Sequence, residues 1–225
     1  MKKVIVRVAI CIVVIVIVFF ICTYMYKYNL LKNIGNAEIN FTENDNFYYK
    51  IIQSGDEEKE NFEQQLYVKE NKSAKYSAIN NKATQRFYID TEKSTMTVVN
   101  EEDMSYSIIP MTTIVGNRAI SNLPKISNYA TEIALKEIDF KSVIDVLGSL
   151  KNVSKEKDGE QKYIKILFNE SNYNEVVWLD EETLLPVKAQ IENNVRNYIF
   201  EKNNVTDENV NFLNADSYTL IEELN

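Results

Sequence analysis

The sequence predicts an α+β protein: one curved antiparallel sheet with helical material on one face, preceded by a single N-terminal membrane helix. Three observations predict it. Two series of strand-like runs alternate apolar and polar residues, one segment between them changes to a helical period, and the first 26 residues hold an uncharged span of different composition. The chain has 225 residues, 45% of them hydrophobic, with only 5 Gly and 3 Pro. That is enough for one sizeable core, and no Pro/Gly-rich break divides it into two.

The N-terminal element comes first. Lys2, Lys3 and Arg7 precede residues 8–26, which carry no charge. At ~1.5 Å per residue they make about 28 Å of helix, enough to cross a bilayer core. Their β-branched residues are weak helix formers in water. In lipid an unpaired backbone group is so costly that helix is the open choice. The basic cluster before the span predicts an N-inside orientation, which puts the rest of the chain outside the cytoplasm as a single-pass protein of the cell membrane. A cleaved signal peptide needs small residues after its apolar core, whereas Ile21, Cys22, Thr23, Tyr24 and Met25 follow Phe20. Lipidation at Cys22 is the remaining alternative, with Ile21 standing where such a signal puts a small residue. The expected division is residues 1–27 as anchor, 28–46 as a juxtamembrane segment that continues the membrane helix or forms its own, and 47–225 as the exported domain.

Charge and cysteine content narrow the function. Beyond residue 26 lie 22 basic and all 33 acidic side chains, a net charge of −11, so nucleic acid is not an expected partner. Cys11 and Cys22 both fall within the apolar span. The exported part therefore has no thiol and must be held by its core.

From about Phe47 the strand-like runs begin. Phe62, Gln64, Leu66 and Val68 alternate with polar neighbours, Phe87 and Ile89 do the same, and residues 95–99 and 104–109 follow, each bounded by short polar stretches. Such spacing predicts an antiparallel meander. Residues 112–128, bearing Ser, Asn and Pro, read as loop with room for a short helix. Phe140, Val143, Ile144 and Leu147 then stand at i, i+3, i+4 and i+7 behind Asp139 as N-cap, with Gly148 placed to close the helix. The second strand series covers residues 163–168, 175–179, 186–191 and 196–200.

In this second series both faces are apolar. Val176 and Trp178 point one way and Val177 and Leu179 the other, and Tyr163 and Leu167 alternate likewise with Ile164, Ile166 and Phe168. A solvated antiparallel sheet would show one polar face, so something must cover the second: a helix, a ligand or a partner. The expected arrangement sets Val176 and Trp178 on the concave face beside Ile164, Ile166 and Phe168. The helix around Phe140 and Leu147 is the expected cover.

Catalysis is disfavoured. The chain has no His, and no Cys outside the span, which removes Ser-His and Cys-His nucleophile systems and the usual zinc sites. Ser154 and Lys157 have Ser-x-x-Lys spacing but sit in what reads as a Lys-rich turn before Gly159. No Gly-rich phosphate loop is present, and Asn44-Asp45-Asn46 lacks the Gly and closing Glu of a calcium loop. No cofactor is expected. A carboxylate pair stays open, because its members need only be near in space.

An apolar strand with Trp178, then Leu179-Asp180, an acidic turn ending in Thr183, and Leu185-Pro186-Val187-Lys188 leading into a return strand resembles the signature hairpin of the LolA-like lipoprotein-carrier superfamily. Tyr198-Ile199-Phe200 and Val205-Thr206-Asp207-Glu208 resemble that family's closing strands. The likeness covers about residues 163–220. It implies a half-open antiparallel barrel with an apolar concave face under helices. The anchored form departs from soluble carriers, which must diffuse. It is more similar to LolA-like proteins of Gram-positive spore-formers, among them the clostridial germination lipoprotein GerS. That resemblance implies a non-catalytic partner of a cortex-modifying amidase; as an interaction module the domain would bind another exported protein through its sheet edge or rim. The alternative it implies is a carrier of lipid or lipoprotein with an open apolar cavity.

Overall fold

The computed structural model describes residues 2–54, 61–80, 82–111, 122–171, 173–213 and 215–223. One helix, α1 (Lys2–Thr42), runs from the N-terminal span without a break. Among the described residues twelve strands follow: β1 (Asn46–Ser54), β2 (Phe62–Lys69), β3 (Lys72–Ile79), β4 (Lys82–Asp90), β5 (Thr95–Asn100) and β6 (Ser105–Pro110) form the first series. After α2 (Lys125–Leu135) and α3 (Phe140–Ser149) come β7 (Leu150–Asp158), β8 (Gln161–Glu170), β9 (Tyr173–Asp180), β10 (Pro186–Ile191) and β11 (Asn194–Lys202). A short helix α4 (Asp207–Val210) and the strand β12 (Thr219–Glu223) close the chain.

All twelve strands lie in one open sheet of order β12-β6-β5-β4-β3-β2-β1-β11-β10-β9-β8-β7. Every pairing is antiparallel except β12 with β6, which is parallel. Each of the two series is therefore a meander of hairpins, and β1 with β11 joins them. This is the α+β architecture that the alternating periods predict.

The core lies between the helices and one face of the second series together with β1 and β2 of the first. Leu30, Leu31, Ile34 and Phe41 of α1 and Ile126, Ala130 and Ile133 of α2 pack with Phe47, Tyr49, Ile51, Ile166, Phe168, Val177 and Leu179. Phe41 meets the rings of Phe47 at 4.9 Å and Phe200 at 5.0 Å. Part of residues 28–46, expected as a separate juxtamembrane segment, thus belongs to the core. α2 and the C-terminal part of α1 supply most of the cover that the sequence assigned to α3. Of the predicted α3 stripe Leu147 is buried, with Val146 beside it, Val143 is half-buried, and Phe140 is 80% and Ile144 43% exposed.

Asp139 caps α3 as expected, its carboxylate accepting from the amides of Lys141 at 2.9 Å and Ser142 at 3.1 Å. Gly148 falls inside the helix instead of closing it, and the chain passes through Leu150 directly into β7. The expected Lys-rich turn is the body of β7, the edge strand of the sheet. Lysines on a sheet edge deter pairing with other chains, which accounts for a strand that does not look apolar. Residues 112–121 of the expected loop lie outside the described residues; Lys125 onward is helix. The segment expected as a closing strand at Asp207 and Glu208 is α4 instead, headed by a capping box of Thr206 and Asn209. Phe212, beyond it, stacks on Tyr88, Tyr106 and Tyr218 across the opposite face of the first series.

Candidate binding site

Antiparallel register decides which side chains share a face. Ile166 lies opposite Val177, Ile164 opposite Leu179 and Phe168 opposite Glu175. Ile164, Ile166 and Phe168 are buried beneath the helices, and their companions on β9 are Glu175, Val177 and Leu179. Val176 and Trp178 are on the other face, opposite Leu167 and Lys165, so their expected place beside Ile164 is corrected. The alternation was right within β9; its phase relative to β8 needed the pairing, which local sequence does not encode.

Trp178 is half-buried. Its ring lies between the ammonium groups of Lys165 and Lys188, 5.2 and 4.9 Å from the centroid, and its Nε1 donates to Glu156 Oε2 at 3.0 Å. The two lysine side chains flank the indole and supply part of the cover it needs on this side.

The covered face is filled. Leu31, Ile34, Phe47, Tyr49, Ile51, Ile126, Ile166, Phe168, Val177 and Leu179 each have 0% exposure. Among the described residues these side chains are packed against one another without exposed surface.

Two carboxylates inside the domain are perturbed. Glu175 accepts from the Lys125 amide at 3.2 Å with both oxygens, capping the N-terminus of α2, where Pro124 offers no side-chain cap. Burial pushes its carboxyl up, against the pull of that backbone donor. Lys125 ties the same corner to Glu170, which also receives the Tyr129 hydroxyl at 3.0 Å. Glu38 of α1 is 4% exposed and takes the Thr131 hydroxyl at 2.5 Å. Burial raises its carboxyl to about 7. Both groups join helix to helix or helix to sheet from the interior, out of reach of a substrate. Ser154 and Lys157 stand three apart on β7, so their side chains point to opposite faces.

An open apolar space lies outside the sheet. A groove of about 830 Å³ runs between α1 and α3, lined by Tyr24, Met25, Tyr28, Phe140, Val143 and Ile144 among others. Sequence reasoning missed it. Its signal was present in the α3 stripe, which is broader than the domain needs, but what stays uncovered depends on how α1 and α3 meet.

No protein-family model matches the chain, and no curated protein matches it. Among solved structures it is similar to a chain of the MucA/MucB complex of Pseudomonas aeruginosa, at 11% identity and a TM-score of 0.43, over 87% of this chain and 63% of that one. It is also similar to a structure of MucB, at 10% identity and a TM-score of 0.41, over 83% of this chain and 62% of that one. A DUF1329 family protein from Desulfovibrio piger aligns at 10% identity and a TM-score of 0.33, over 84% of this chain and 97% of that one. The chain thus spans less than two thirds of the length of the MucB structures. These are distant likenesses of shape.

Proposed function

We propose that the protein is a membrane-anchored, extracytoplasmic, non-catalytic binding protein of LolA-like build whose partner is another exported protein. The observation that carries this reading is the continuity of α1. Its apolar N-terminal part is exposed from Val8 to Met25, uncovered by the domain, while Leu30, Leu31, Ile34 and Phe41 of the same helix are built into the core. A helix with exposed apolar residues all round is suited to lipid. A domain fused to it in this way is held at the membrane and does not shuttle.

The close packing of the covered face supports recognition on the outer surface or rim of the sheet, not in a cavity under it. The perturbed carboxylates are spent on internal structure, which supports a non-catalytic reading. The GerS resemblance narrows the partner to a cortex-modifying amidase in spore germination. The test is turnover of peptidoglycan fragments by the purified protein with and without such an amidase. Turnover changed only when the amidase is present supports the reading, and turnover by the protein alone, lost with a single Asp or Glu, overturns it. A second reading, lipid or lipoprotein handling, is favoured by the apolar groove between α1 and α3 rather than by a cavity under the sheet.

A further inference from the structure

We infer that the groove between α1 and α3 is a bilayer-docking face: the outer leaflet of the membrane that holds α1 receives Phe140 and Ile144 of α3. This rests on the anchor part of the proposed function and adds a second membrane contact to it.

The argument begins with length. The uncharged residues 8–26 span about 28 Å of helix, nearly all of a ~30 Å hydrocarbon core, so the lipid boundary falls close to Tyr26. Because α1 continues unbroken to Thr42, whatever packs beside residues 24–28 is fixed at that boundary. The groove is lined there by Tyr24, Met25 and Tyr28 from α1, facing Phe140, Val143 and Ile144 from α3. Tyrosines at this depth match the aromatic belts of membrane proteins.

Lys27 fixes α3 at the same level. Its Nζ donates to the Leu150 carbonyl at 2.5 Å and to the Leu147 carbonyl at 3.3 Å, which satisfies the C-terminal end of α3 with the first charged residue after the span. α3 cannot swing away from the boundary without breaking these bonds.

The exposure pattern of α3 then identifies the occupant. Val146 and Leu147 turn into the domain, while Phe140, at 80% exposure, and Ile144, at 43%, stand one turn apart on the uncovered part of the same apolar stripe. Met25 on the facing helix is 60% exposed. This surface is continuous with the lipid-facing surface of α1, exposed from Val8 to Met25, so the bilayer that covers one reaches the other. An interfacial helix lies in this way, with its apolar face at the headgroup and acyl-chain boundary.

The test uses the full chain carrying F140W and W178F, reconstituted into vesicles of phosphatidylcholine with a minor share of phosphatidylglycerol. A matched set of vesicles carries bromines near the headgroup end of the acyl chains. Flotation first shows whether the chain stays with the vesicles; a chain left in the aqueous fraction overturns the anchor and the docking together. For the floated protein, docking predicts that brominated lipid lowers the emission of F140W roughly two-fold, since such a helix sits roughly 5–10 Å into the boundary. The parent, which reports from Trp178 on the far face of the sheet, keeps its emission. Emission of F140W unchanged by bromine in floated protein overturns the docking and leaves the anchor standing. Emission that becomes sensitive to bromine only when the protein is diluted in the membrane overturns it too, since a second copy would then be the occupant of the groove. A far-UV spectrum of F140W matching the parent shows that the substitution has kept the fold.

Discussion

Gly35 of α1 and Ala130 of α2 meet backbone to backbone: a Cβ on Gly35 would stand 2.0 Å from the Ala130 carbonyl oxygen and 2.7 Å from the Ala134 Cβ. This contact sets how closely the long N-terminal helix approaches the helix that covers the sheet. In an isolated helix Gly35→Ala would stabilise by about 1 kcal/mol. Here the obstructing atom is backbone and cannot step aside, so overpacking decides the sign. The expected outcome is a net loss of roughly 1–3 kcal/mol, read from the denaturant midpoint of the full chain in detergent. A midpoint higher than the parent's would show that the two helices have room to part.

Glu38 gives the domain a pH dependence of known sign. Its folded carboxyl titrates near 7 because burial disfavours the charge, against an ordinary value of 4.5. Between those values the native state holds more protons than the unfolded chain, so stability is greatest below pH 4.5 as far as this group is concerned. It falls as pH rises through 7 and then levels. The total is about 3 kcal/mol. Glu38→Gln keeps an acceptor for the Thr131 hydroxyl and removes the charge. It should flatten the profile and be more stable than the parent at pH about 8. Parallel profiles for parent and variant would assign the slope to other groups.

Residue pattern made much of this fold legible, and the failures have separate causes. Strand-like runs located β2, β4, β5, β6 and β8 to β11, and Asp139 with its i, i+3, i+4 stripe located α3. β7 escaped because an edge strand with Lys155 and Lys157 has no apolar pattern to show. α2 was legible only as room for a short helix, because Pro124, Ser127 and Asn128 read as loop, although Ile126, Ala130 and Ile133 carry the helical period. The parallel pairing of β12 with β6 joins segments more than a hundred residues apart, and nothing local announces it. The candidate site failed at a finer level. Glu175 begins the stretch Glu-Val-Val-Trp-Leu-Asp and looks like a solvent-facing end, yet it is fully buried as the cap of a helix fifty residues earlier. Such a role is a tertiary fact.

Membrane attachment separates two uses of Cys22, which is a free thiol exposed on α1. If the helix is a permanent anchor, Cys22→Ser leaves the protein in the membrane fraction, and protease added outside intact protoplasts removes the folded domain while the N-terminus stays protected. Release of the variant into the medium would assign attachment to a lipid on Cys22.

Trp178 tests the face assignment. A buried core tryptophan loses about 3–5 kcal/mol on truncation to alanine, as its placement beside Ile164 would have required. On the outer face it contributes its half-buried area and its place between Lys165 and Lys188, and such exposed cation–π contacts are worth about 0.5–1 kcal/mol each. Trp178→Ala should therefore cost roughly 1–2 kcal/mol. Ile166→Ala, on the neighbouring strand but under the helices, should cost roughly 2–5 kcal/mol, because its site has no exposure and little room to collapse. As the only tryptophan of the chain, Trp178 also reports its own surroundings: in the folded parent its fluorescence should be quenched by an aqueous quencher well above the level of a buried indole. Denaturant unfolding of the two variants side by side decides the matter. A Trp178→Ala loss as large as that of Ile166→Ala, with parent fluorescence shielded from the quencher, would return the indole to the covered face and reverse the register of β8 against β9.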